Sequence, residues 1–189
     1  MFKFPSESNT ILTQLKSKII TKFSSIYSKH RFKEYVNSEG YLNLFSKNPN
    51  IYIIYAENFG TITFKSVLNG NFSLGISYNR ELPSHEKIVE SVGHTDEIVI
   101  IKASDTTYST PYMASFVGSR IDKIEIAKAH PTGRMRPRLN ERGIRITNDK
   151  GMQLIVGRGL VDGQSSSGLL ALPPDRLDQT PGMFTFQEV

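Results

Sequence analysis

The chain has 189 residues, with 23 lysines and arginines against 18 aspartates and glutamates, a formal net charge of +5, and no cysteine. A hydrophobic fraction of 38% and an aromatic fraction of 10% exclude an intrinsically disordered chain, which lacks the apolar surface needed to offset its conformational entropy. Without cysteine there can be no disulfide, no thiolate catalysis and no cysteine-ligated metal. Because no apolar run approaches the roughly 18 residues of a membrane helix, we expect a soluble, cytoplasmic protein.

The N-terminal segment has the apolar spacing of an amphipathic helix. After Ser8 or Asn9, either of which can cap a helix, apolar residues follow every three or four positions: Leu12, Leu15, Ile19, Phe23 and Ile26. This spacing predicts one surface helix that packs through that stripe. Lysines occupy its other faces, namely Lys16, Lys18, Lys22 and Lys29. The alternative is a cationic helix for a membrane or a nucleic acid.

Residues 31–50 are ambiguous, and several strands are predicted after them. Phe32, Tyr35 and Val36 could extend a helix to Gly40, and the sequence Asn-Pro-Asn at 48–50 is a turn. Residues 51–55 read as a buried strand, and residues 59–68 alternate with Ile62 and Phe64 inward. The dipeptide Asn69-Gly70 predicts a type I′ hairpin turn into the strand at 72–78.

The remaining elements are short. Ser84 can cap a helix at 85–92 that ends at Gly93, and the apolar run at 97–101 predicts a central strand buried on both faces. Further strands are predicted at 120–129, 143–147, 152–156, 169–172 and 183–186. Residues 148–151 join two of them as a four-residue hairpin connection with glycine last.

These elements predict an α+β fold of mainly antiparallel short strands and hairpins, with an N-terminal amphipathic helix and one or two further short helices. Strands do not alternate regularly with long helices, so a doubly wound fold is disfavoured. We expect a single domain over residues 1–189. The alternative is two lobes, residues 1–103 with the helix and hairpin and residues 120–189 rich in strands.

The positive charge is concentrated in residues 128–145. This segment holds six basic residues and one acidic residue, a local excess equal to the net charge of the whole chain. Prolines and glycine indicate a loop, and the guanidinium fork of arginine matches phosphate or carboxylate geometry. Together with a later arginine, the candidate residues for binding an anion or a partner are Lys128, His130, Arg134, Arg136, Arg138, Arg142, Arg145 and Arg158. The alternative is a solvated basic loop, or arginines paired with the chain's own acidic groups.

A glycine- and serine-rich segment at 157–168 is the second candidate contact loop. It lacks the spacing of a phosphate-binding loop and is not followed by a helix, so a long hairpin loop is the favoured interpretation. Its small residues would let a partner approach the backbone closely. The group His94, Asp96 and Glu97 does not match a metal-site spacing, and no serine-nucleophile motif is present. We therefore expect no metal, no cofactor and no catalytic residue.

Three functional classes remain. The first is a non-catalytic protein-binding module of inhibitor, immunity or accessory type that uses residues 128–145 and 157–168 as its contact surface. Since the chain is basic, its protein partner should be acidic or neutral. The second is an RNA- or DNA-binding protein that uses the same basic segment. The third is an enzyme whose site is assembled from distant residues.

Overall fold

A computed structural model of the chain describes residues 1–40, 43–67, 73–81, 83–92, 97–129, 141–161, 168–177 and 184–189. These residues form two antiparallel five-stranded sheets accompanied by short helices. The predicted α+β fold is confirmed.

The first sheet has the strand order β4-β3-β2-β1-β5, and every neighbouring pair is antiparallel. Its strands are β1 (Ile20–Ser28), β2 (Ile51–Ala56), β3 (Gly60–Val67), β4 (Ser73–Asn79) and β5 (Ile98–Lys102). The predicted hairpin of β3 and β4 is confirmed as a strand pair. Its turn at 69–70, predicted as type I′, lies outside the described residues.

The second sheet has the order β10-β6-β7-β8-β9, again antiparallel throughout. Its strands are β6 (Ile121–Ala129), β7 (Glu141–Asn148), β8 (Gln153–Arg158), β9 (Leu169–Leu172) and β10 (Phe184–Glu188). The connection from β7 to β8, residues 149–152, contains Gly151, whose φ of 75° confirms the predicted hairpin chemistry.

Four α-helices accompany the sheets in the described residues: α1 (Asn9–Leu15), α2 (Lys29–Glu39), α3 (His85–Val92) and α4 (Pro111–Ala114). The hydroxyl of Ser28 caps α2 by accepting a hydrogen bond from the backbone N–H of Arg31 at 3.4 Å. The helix ends at Gly40, as predicted, because a φ of 74° suits glycine. Ser84 caps α3 in the same way, at 3.3 Å from the N–H of Lys87.

The inner faces of the two sheets share one hydrophobic cluster. Strand β4 contacts β7 and β8, and β3 contacts β8. Phe23 and Phe45 pack edge to face with ring centroids 4.8 Å apart, and the buried Tyr52 hydroxyl donates to the carbonyl of Phe45 at 2.9 Å. Because the sheets close on this layer, side chains at its ends meet across the two sheets.

The predicted N-terminal helix is wrong in its second half. Helix α1 ends at Leu15, Ser17 adopts a left-handed φ of 66°, and β1 follows. Phe23 packs in the layer between the sheets, whereas Ile26 packs beneath α3 on the opposite face. A strand buried on both faces carries apolar residues at odd and even positions, and here their spacing imitates that of a helix.

The four lysines assigned to the polar face of that helix therefore do not share one face. Lys16 and Lys18 follow α1, Lys22 lies in β1, and Lys29 begins α2. The alternative of a continuous cationic helix for a membrane or a nucleic acid is contradicted by this arrangement.

The prediction of a central strand at 97–101 is also wrong. Strand β5 lies at the edge of the first sheet and pairs, among the described strands, with β1 alone. Ile101 is buried, but Ile100 is 48% exposed. An apolar run shows that a segment is extended, but its place in the sheet depends on which distant strand pairs with it.

In the described part of the chain, no helix is long and apolar enough to cross a membrane.

Candidate functional site

Half of the predicted binding residues lie outside the described part of the chain. They are His130, Arg134, Arg136 and Arg138. Their role in binding stays a prediction. The structure describes the other four: Lys128, Arg142, Arg145 and Arg158.

Arg145 lies on the outer face of the second sheet, because Ile144 and Ile146 on either side of it point into the shared cluster. Its Nε donates a hydrogen bond at 2.7 Å to Oε2 of Glu125, the residue directly opposite in the β6–β7 register. Its guanidinium also lies 3.7 Å from the ring centroid of Phe186. Arg145 thus links β6, β7 and β10.

Lys128 also contacts the protein's own side chains. Its Nζ donates to Oε1 of Gln187 at 2.6 Å and lies 4.0 Å from Oε1 of Glu141. Glu141 is completely buried, and its other carboxylate oxygen accepts the backbone N–H of Ser6 at 2.8 Å. Lys128 and Arg145 therefore match the alternative in which some basic residues of this segment pair with acidic groups of the chain itself.

Arg158 has a different environment, since it is only 2% exposed at one end of the layer between the sheets. It follows Val156 by two residues and so lies on the inner face of β8. Its Nη1 donates a hydrogen bond to the hydroxyl of Ser66 in β3. Arg158 therefore connects the second sheet to the first.

A cleft of about 280 Å³ opens beside Arg158. We call it the basic cleft, because its polar lining consists of three cations and three neutral side chains: Arg31, Lys65, Arg158, Asn48, Asn50 and Ser66. Three apolar residues complete the described lining, which contains no acidic and no aromatic side chain. Its cations come from α2, β3 and β8, three elements that are far apart in the sequence.

Two asparagines of the predicted 48–50 turn fix one wall of the basic cleft. Oδ1 of Asn50 accepts the backbone N–H of Ser28 at 2.8 Å, and Oδ1 of Asn48 accepts that of Leu169 at 3.0 Å. The amide nitrogen of Asn48 donates to the hydroxyl of Tyr35 at 2.9 Å. The turn is thereby tied to the end of β1, to β9 and to α2, which makes the wall a defined surface.

Positive charge in this region is partly removed from water. Burial lowers the pKa of Lys65, and burial followed by the charge of Arg142 lowers the pKa of Arg158. Arg142 and Arg158 are close because they flank Gly143 and Gly157, which face each other in the β7–β8 register. An anion in the basic cleft would stabilise these cations, because an opposite charge nearby favours the charged form.

The sequence identified Arg158 but missed Arg31 and Lys65. Arg31 stands in the basic stretch Lys29-His30-Arg31-Phe32-Lys33, whereas Lys65 has no basic neighbour in the sequence. Only the pairing of the sheets brings α2 and β3 beside β8. The sequence carries two signals for this site: the basic stretch around Arg31 and the turn at 48–50, which local chemistry predicts as a turn but not as a wall of a site.

Two other chemistries find less support. A second cleft, of about 410 Å³, is lined by small and hydroxyl side chains of residues 103–115 and carries no charged group among its described residues. No group of three or more histidines and carboxylates suited to a metal occurs in the described ranges. His94 and Asp96, considered from the sequence, lie outside them.

No family model, curated protein or solved structure matches this chain.

Proposed function

We propose that the chain is a protein-binding module that takes an acidic group of its partner into the basic cleft. The observation that carries the proposal is the convergence of Arg31, Lys65 and Arg158, from three separate elements, on one concave site. Hydrogen bonds from such cations to an anion are about twice as strong as neutral ones. A partially buried site strengthens them further, because the surrounding dielectric constant is lower than that of water.

Described residues of both segments predicted as contact surface lie at or near the basic cleft: Arg158 lines it, and Arg142 is close to Arg158. The connection at 157–168 begins beside Arg158 and ends just before Leu169, and both of these residues line the cleft. The last residues of the segment 128–145 belong to β7, and one of them, Arg142, lies near Arg158. We therefore include both segments in the proposed interface, with an inhibitor, immunity or accessory role as the kind of function it would serve.

RNA or DNA is the alternative partner. Proteins that bind single strands stack the bases on aromatic side chains, whereas the described lining of the basic cleft contains none. An acidic protein partner is therefore preferred, and nucleic acid becomes one outcome of the test.

Fluorescence anisotropy with a labelled peptide of glutamate and aspartate tests the proposal. The cleft variant is the double substitution Arg31→Gln and Lys65→Gln. The matched control, Lys33→Gln and Lys102→Gln, removes two exposed cations that do not line the cleft, and Lys33 lies on the same helix as Arg31. We expect the cleft variant to lose affinity by about tenfold or more, because charge-assisted contacts disappear, and the control to stay close to the wild type. Thermal unfolding of each variant verifies that it folds.

Two results would count against the proposal. Equal losses in both double variants would show general attraction of charge rather than a site. Tighter binding of RNA or duplex DNA, with a steep loss of affinity between about 50 and 200 mM salt, would favour the nucleic-acid alternative.

A further inference from the structure

We infer that the basic cleft recognises a phosphate monoester carried on a phosphorylated side chain of the partner. The inference rests on the proposed function, because it names the acidic group that the function leaves open. Three features of the cleft point to it: the number of its cations, the directions from which they approach, and its small size without an aromatic wall.

The number of cations favours a dianion over a carboxylate. Arg31, Lys65 and Arg158 line the cleft, and Arg142 adds its charge beside Arg158. A carboxylate brings one negative charge to this group, whereas a phosphorylated side chain brings about 1.5 to 2 at neutral pH. The phosphoryl group therefore gains more from the same set of cations.

The directions of approach favour a tetrahedral group. The cations extend from α2, β3 and β8, and Arg158, at 2% exposure, is more deeply buried than the half-buried Arg31 and Lys65. A planar carboxylate is matched by one guanidinium fork. A phosphoryl group presents three acceptor oxygens in different directions, so it can accept hydrogen bonds from all three elements together.

The size and lining of the cleft favour a phosphorylated side chain as the source. A volume of about 280 Å³ is at the lower limit of small-molecule pockets, and the described lining offers no ring on which a nucleotide base could stack. The apolar Pro49, Val92 and Leu169 lie beside the polar groups and can contact the carbon atoms of a phosphorylated side chain. Inorganic phosphate has no carbon atoms and cannot make these apolar contacts.

The ionisation of the ligand supplies a specific signature. The second pKa of a phosphorylated side chain is about 6, so its dianionic fraction rises between about pH 5 and 7.5. Among the described residues, the charged groups that face it are Arg31 from α2, Lys65 from β3 and Arg158 from β8, with Arg142 of β7 next to Arg158. Sulfate is a dianion throughout this range, so a change in its affinity with pH would report a change in the cleft rather than in the ligand.

Isothermal titration calorimetry of the whole chain tests the inference with five probes: doubly capped phosphoserine, doubly capped glutamate, inorganic phosphate, sulfate and a nucleoside monophosphate. At pH 7.5 we expect capped phosphoserine to bind about tenfold more tightly than capped glutamate. Its affinity should fall severalfold at pH 5, while that of sulfate stays constant. The substitution Arg31→Gln should weaken phosphoserine binding, whereas Lys33→Gln should not.

The other outcomes separate the inference from the function on which it rests. Equal affinity for phosphoserine and glutamate, with both weakened by Arg31→Gln, would overturn the inference of phosphate recognition. The proposal of an acidic partner would remain. Inorganic phosphate that binds as tightly as phosphoserine, or a nucleoside monophosphate that binds more tightly than either, would overturn the phosphorylated side chain as the source. Absence of binding by every probe and by the acidic peptide would overturn both proposals.

Discussion

Glu125 is 5% exposed, and the neighbouring Arg145 and Lys123 stabilise its charged form. The hydrogen bond from Arg145 is the main cause that lowers its pKa from 4.5, and the contact with Lys123 at 3.0 Å acts in the same direction against the effect of burial. The hydrogen bond joins β6 to β7, and Arg145 also contacts the Phe186 ring of β10, so the charge of Glu125 helps to hold these strands together.

We predict that Glu125→Gln lowers the free energy of unfolding at pH 7 by about 1.5–3 kcal/mol, the range for hydrogen bonds to charged groups. Because the folded-state pKa is lowered, the stabilisation is fully present above the pKa of the unfolded chain. It is lost as the pH falls through the folded-state value. Urea unfolding at pH 7 and at about pH 3 should therefore show a difference between variant and wild type that shrinks in acid.

Glu97→Gln is the matched control for this prediction. Lys29 also lowers the pKa of Glu97 through a hydrogen bond, but the Glu97 side chain is 74% exposed, so solvent and salt screen the pair. Its effect on stability should be smaller and should fade with added salt. A Glu125→Gln difference that is unchanged in acid would contradict the assigned role of that carboxylate.

At the scale of the elements, Gly143 and Gly157 allow β7 and β8 to approach closely. A Cβ atom at Gly157 would lie 2.4 Å from the carbonyl oxygen of Arg142 and 2.7 Å from the Cα of Gly143. Both contacts are with backbone, which cannot rotate away as a side chain can. The glycine pair therefore positions Arg142 and Arg158 beside each other at the end of the sheet.

We predict that Gly157→Ala destabilises the protein by about 1–3 kcal/mol, the usual cost of overpacking, and weakens binding at the basic cleft. Gly151→Ala is the comparison, because a Cβ there meets no atom within 4 Å and the φ of 75° alone causes strain of about 1–2 kcal/mol. Urea unfolding and peptide anisotropy on both variants check this. Loss of binding in Gly151→Ala to the same extent would contradict the positioning role of Gly157.

Most elements could be predicted from local chemistry, and the errors have a common physical cause. The β3–β4 hairpin, the Gly151 turn and the cap of α3 depend on neighbouring residues, which the sequence displays directly. The end of α1 and the edge position of β5 depend on distant partners. Phe23 and Ile26 look like one helical stripe until α3 and the second sheet cover opposite faces of β1.

At the scale of the whole molecule, the candidate site is a product of how the two sheets pack. Arg158 could be proposed from its glycine-rich surroundings, but Arg31 and Lys65 become its neighbours only when β3 meets β8 and α2 packs near the 48–50 turn. The local density of charge in the sequence pointed to residues 128–145, where Lys128 and Arg145 contact groups of the chain itself. The basic cleft is identified by cations that come together in space, and not by the density of basic residues along the sequence. The prediction of a single domain stays a prediction.

The most direct test of the central claim is a nuclear magnetic resonance titration of the ¹⁵N-labelled chain with the acidic peptide. If the basic cleft binds the acidic group, the largest amide shifts will fall on residues that line it, such as Asn50, Ser66 and Leu169. The Arg31→Gln, Lys65→Gln variant will lose these shifts. Shifts confined to residues 130–140 or to the surroundings of Arg145, with the cleft amides unmoved, would contradict the account.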